Sequence, residues 1–81
     1  MDHASARQLA VAKFTASVRG RIDDWDVTGP MEGVVRTLSG PKPLLIFRFR
    51  PREGANTGWD RARPPLSVAV DPDSGGAEML R

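Results

Sequence analysis

Hydrophobic and polar positions alternate most cleanly between residues 43 and 71. The run PLLIFRFR places Leu45, Phe47 and Phe49 in one row and Arg48 and Arg50 in the other. A period of two is the mark of a strand with one buried and one wet face. A second strand-like run, LSVAV at 66–70, follows a long connection, PREGANTGWDRARPP. The two runs are expected to pair antiparallel as a long-looped hairpin. Connections of this length inside a small domain tend to carry function or to be disordered.

Upstream the pattern admits two readings. Residues 13–22, KFTASVRGRI, alternate, with Phe14, Ala16, Val18 and Ile22 opposite Lys13, Thr15, Ser17, Arg19 and Arg21. A helix competes, because Ala10, Phe14, Val18 and Ile22 step by four. The β-branched content and Gly20 favour a strand. Residues 3–12 read as a short helix with Asp2 as N-cap, since its carboxylate can accept free first-turn amide protons. Residues 23–29, DDWDVTG, read as a turn. In the segment that follows, Met31, Val34, Val35 and Leu38 fall at helical spacing, Pro30 suits a first turn and Gly40–Pro41 a stop. A strand at GVVRTL is the alternative. The tail, residues 72–81, is expected to be flexible, with Met79 and Leu80 able to dock.

The expected architecture is therefore a small α+β domain over residues 1–71. It has a three-stranded, mostly antiparallel sheet with one or two short helices on one face, in the order α–β–α–β–β. Its expected core is Leu9, Phe14, Val18, Ile22, Val34, Leu38, Leu45, Phe47, Phe49, Leu66, Val68 and Val70.

Composition narrows the picture. A chain of 81 residues makes one domain and buries only about 60–65% of its unfolded surface. Dimerisation is one way to bury more. With no cysteine, disulfides, thiolate metal sites and thiol chemistry are excluded. No segment approaches the about 20 apolar residues of a membrane span, and the first twenty residues lack a secretory core. A cytoplasmic protein without a membrane partner is expected. The acid-free stretch 3–22 also suits a mitochondrial presequence, but its structural reading is the better one.

Net charge is only +2. Residues 36–63, however, carry seven basic groups against Glu53 and Asp60, a balance of +5. A localised basic face favours anionic partners through its field. A solvated strand face is the plain alternative.

Candidate chemistry is sparse. His3 is the sole histidine and lies near a terminus, so neither a triad nor a histidine-rich metal site can be assembled. Asp23, Asp24 and Asp26 are too few to fix a hard cation and read as turn caps. DPDSGG at 71–76 lacks the distal glutamate of a calcium loop. No nucleophile motif or phosphate loop is present. Catalysis is not expected, and no cofactor is implied.

Tryptophan adds the last signal. Trp25 and Trp59 both fall in segments read as turns, where either can fold over the core or anchor a contact. Trp59 has Arg52, Arg61 and Arg63 around it in sequence. The candidate binding residues are thus Arg48, Arg50, Arg52, Trp59, Arg61 and Arg63. Arg and Trp are enriched at protein interfaces, and the same set suits phosphate neutralisation with base stacking. The residues favour a non-catalytic binding or regulatory module with a protein partner. A nucleic-acid partner is the second reading and a small enzyme the third.

Overall fold

Asp2 caps the first helix as its position suggests: its Oδ1 accepts the Ser5 N–H at 2.7 Å. The computed structural model describes residues 2–18, 22–54 and 65–80. Helix α1 runs from His3 to Ser17, and a short 3-10 turn follows at Ile22–Asp24. Four strands complete the described chain: β1 Trp25–Thr37, β2 Gly40–Pro51, β3 Leu66–Val70 and β4 Ala77–Leu80. They form one antiparallel sheet in the order β1-β2-β3-β4.

The fold is α+β with a helix packed on one face of an antiparallel sheet. Its details correct the sequence reading. The described residues hold four strands rather than three and follow α–β–β–β–β rather than α–β–α–β–β.

Two segments changed type. Lys13–Ser17 belong to α1, so the strand expected at 13–22 is replaced by the helical rival. Phase explains the choice. Ala6, Ala10 and Phe14 step by four and form one buried stripe down the helix, whereas Ala16, which a strand would set in the same row as Phe14, is exposed. Small residues at 6 and 10 let the helix backbone approach the sheet. The helix ends where Val18 turns extended and its N–H closes on the Phe14 carbonyl at 2.8 Å. Gly20, which favours the strand reading, lies outside the described residues.

The second segment is the helix expected over residues 30–38, which is instead the distal part of β1. The apolar residues that suggested a buried helix face remain in solvent: Val34 is 72% exposed and Leu38 lies fully open. Both leave the expected core. Val34, Val35 and Thr37 are β-branched and pair with β2, which suits a pleated surface better than a helix. Gly40 opens β2 instead of stopping a helix. It adopts φ +111 after the Leu38–Ser39 turn, and the Thr37 hydroxyl pins that turn by donating to the Gly40 carbonyl at 2.8 Å.

A bulge divides β1. The register shifts between Thr28 and Met31, so Gly29 and Pro30 stand opposite Phe47. Gly29 has φ +120, and a Cβ there would sit 2.7 Å from the Ile46 carbonyl oxygen. Only glycine tolerates both the dihedral and the approach.

The core lies between α1 and the sheet. Phe14, Trp25, Phe47, Phe49, Val68 and Val70 are buried there with Ala6 and Ala10. Leu9, Val18, Ile22, Leu45 and Leu66 pack around them, half-buried. Trp25 is not part of a turn. It opens β1 and is buried against Phe14, ring centroids 4.8 Å apart at 71°. Residues 72–81, expected as a flexible tail, contain a strand. Within them Ala77–Leu80 pair with β3, and Met79 packs on the core.

β3 reaches only Leu45–Phe49 of β2. Beyond it, Glu32–Thr37 and Gly40–Leu44 continue as a two-stranded ribbon. No described helix is long and apolar enough to cross a membrane.

Candidate binding surface

Strand parity builds the surface. Residues opposite one another in β1 and β2 share a face, so the helix-side row of Phe47 and Phe49 implies an outer row. That outer row runs Arg50, Arg48, Ile46, Leu44 and Lys42 on β2. Its neighbours on β1 are Asp26, Thr28, Met31, Gly33 and Val35 in turn. Ser67 and Ala69 extend it onto β3, and Leu80 and Glu78 onto β4. The secondary structure that packs on the sheet, α1, lies on the opposite face.

Arg48 and Arg50 are exposed and stand together at one end of this row. With Asp26, Thr28 and Pro65 they line a recess of about 350 Å³. Arg52 has a different position. Its Nε donates to Asp26 Oδ1 at 3.2 Å, and its backbone N–H donates to the Asp24 carbonyl at 2.8 Å. Arg52 thus clips the end of β2 to the start of β1. Both partners of that ion pair are more than half exposed, so it adds little to stability. Trp59, Arg61 and Arg63 lie outside the described residues. Pro65, two residues after Arg63 in sequence, lies in the wall of the same recess.

The middle of the row is apolar. Met31 is 44% exposed and Val35 40%. Leu44 and Ile46 are half-buried. Ile46 bends over Gly33, its Cδ1 2.5 Å from where a Cβ would stand. The helical spacing hides this patch in the sequence, because it puts Met31 and Val35 on a buried helix face. The signal was present: extending the alternation backward from Arg50 and Arg48 puts Ile46 and Leu44 beside the arginines.

The far end of the row is closed by an ion pair between Lys42 and Asp71. Hydrogen bonding to Lys42, followed by the Asp73 backbone amide, lowers the Asp71 carboxyl from 3.8 to about 2. The same contact raises Lys42 above its usual value. Asp71 also shapes the β3–β4 turn. Its Oδ1 accepts the Asp73 N–H at 2.9 Å, and its carbonyl accepts the Gly75 N–H at 2.8 Å. The acidic run at 71–73 is therefore turn chemistry.

Among the described residues, no group of three histidine or acidic side chains converges as a metal set would. No family model matches the chain, and no curated protein or solved structure is significantly similar to it.

Proposed function

We propose that this chain is a non-catalytic binding module that engages another protein through the sheet face opposite α1. One observation carries the reading: Met31, Leu44 and Ile46 form an apolar centre with Arg48 and Arg50 at its border. An apolar centre edged by arginine is the usual make-up of a protein interface. Trp59, Arg61 and Arg63 belong to the same reading by sequence, because Pro65, two residues after Arg63, borders the recess that Arg48 and Arg50 line.

Nucleic acid is the second reading, and the arginine pair favours it. The neighbouring charges weigh against it. Asp26 stands beside Arg50 and is paired with Arg52, which lowers the field a phosphate would meet. Glu78 lies on the same face.

Salt separates the two. Several phosphate contacts would make affinity fall steeply with ionic strength, by about tenfold or more between 50 and 200 mM salt. An apolar contact edged by arginines would lose far less. A binding isotherm repeated across that range decides between them.

A further inference from the structure

The ribbon formed by Glu32–Thr37 and Gly40–Leu44 has two long edges, and they differ. Along the β2 edge, Pro41 and Pro43 stand opposite Arg36 and Val34. Proline has no N–H, so neither can exchange the paired hydrogen bonds of a narrow antiparallel pair. Val34–Pro43 and Arg36–Pro41 are therefore non-hydrogen-bonded pairs. Two consequences follow. The β2 edge presents proline nitrogens and offers no donor there. The β1 edge turns the backbone N–H and C=O of Val34 and Arg36 outward and, by the same period of two, those of Glu32. Open donors and acceptors on an edge strand are a template for another strand.

The side chains of that edge are complementary to themselves. Antiparallel pairing of two β1 copies about Val34 sets Glu32 of each copy opposite Arg36 of the other, and Val34 opposite Val34. Pairing about Glu32 would set glutamate against glutamate. Pairing about Arg36 would set arginine against arginine. Both of these registers are penalised by like charge. Shifting by one residue would mix the two faces of the sheet. On the outer face, Val35 of one copy meets Gly33 of the other, where Ile46 offers it an apolar contact. Among the described residues neither Glu32 nor Arg36 is in an ion pair within its own chain. The exposure of Val34 at 72% has no use in the single chain.

We infer that two copies of this chain pair edge to edge through Met31–Thr37 of β1, antiparallel, with Val34 on the two-fold axis and Glu32 facing Arg36 twice. The bulge at Gly29–Pro30 ends the pairing on one side and the Leu38–Ser39 turn on the other. The two helix-bearing bodies lie at opposite ends, and the outer faces of both sheets become continuous. An isologous contact of this kind closes on itself as a dimer. It is smaller than a standard interface and belongs to the weak, transient class. It uses the strand edge rather than the outer face, so its failure leaves the proposed function standing.

The test is sedimentation velocity on the full chain, from about 10 µM to about 1 mM. Wild type is expected to shift from monomer to dimer as concentration rises, and less so in high salt. Glu32→Lys alone and Arg36→Glu alone each oppose like charges twice and are expected to weaken association about tenfold. An equimolar mixture of the two variants again opposes acid to base at both positions and is expected to recover it. Both side chains are exposed, and circular dichroism confirms that the variants are folded. A wild type that stays monomeric throughout overturns the inference. So does a dimer indifferent to the single variants, or a mixture that associates no better than they do.

Discussion

Phe14 lies flat on Phe49, ring centroids 4.1 Å apart and planes within 4°. One ring comes from the helix and the other from the sheet, so the contact is the seam of the fold. Trp25 meets Phe14 edge-on, and all three rings are buried. In so small a domain the stability margin is thin. Truncation at this seam, Phe14→Ala, is expected to cost about 3–5 kcal/mol, enough to unfold most of the protein. Phe47→Ala is expected to cost the same order. Urea unfolding measures both. A retained melting temperature for either variant would mean that the helix does not pack where it is described.

The Lys42–Asp71 pair gives stability a defined pH dependence. Asp71 is lowered from 3.8 to about 2 in the folded chain. Its contribution is complete above its unfolded value and is lost as pH falls toward the folded one. Lys42 is raised above 10.5, so its contribution is complete below that value and is lost at still higher pH. Melting temperature is therefore expected to fall between about pH 4 and pH 2, with part of the fall due to this pair. Asp71→Asn keeps an oxygen for the turn amides and removes only the charge. It is expected to make the acid limb shallower, and an unchanged limb would show that the pair contributes nothing.

Glycine at 29 is required twice over, by φ +120 and by the nearby Ile46 carbonyl. Gly40 has φ +111 but open space around it. Gly29→Ala is expected to cost more than Gly40→Ala, whose penalty is backbone strain alone, about 1–3 kcal/mol. Chemical denaturation of the two variants gives the order, and the reverse order would contradict the bulge geometry.

Leu38 separates the hairpin from the helix that its spacing suggests. At the tip of a ribbon it is fully exposed, so Leu38→Ser is expected to change stability by no more than about 0.5 kcal/mol. On a buried helix face the loss of so large an apolar side chain would cost about 2 kcal/mol or more.

That contrast shows where the sequence was legible. Phe47 and Phe49 alternate with arginines, and no other element fits that pattern, so β2 and its buried face could be read directly. Phe14 satisfies two periods at once, and the exposure of Ala16, its neighbour in a strand row, fits only the helix. Met31, Val34, Val35 and Leu38 matched helical spacing by coincidence; their real constraint is pairing with β2 through a tight turn, a non-local fact. β4 is too short for its period to show. At the candidate surface, Arg48 and Arg50 were readable as a wet row. Arg52 was not readable as a clip, because its partner Asp26 is far away in sequence. The apolar centre at Met31, Leu44 and Ile46 emerges only when β1 is laid beside β2.

Binding of a protein by the outer sheet face leaves a signature that can be read in solution. Its most direct measurement is affinity capture from lysate with and without nuclease, comparing wild type with Met31→Glu and with the double variant Arg48→Glu, Arg50→Glu. All three side chains are exposed, so melting temperatures are expected to stay close to wild type. A protein partner that survives nuclease treatment and is lost from both variants is expected. Capture that vanishes with nuclease, or that both folded variants retain, would contradict it.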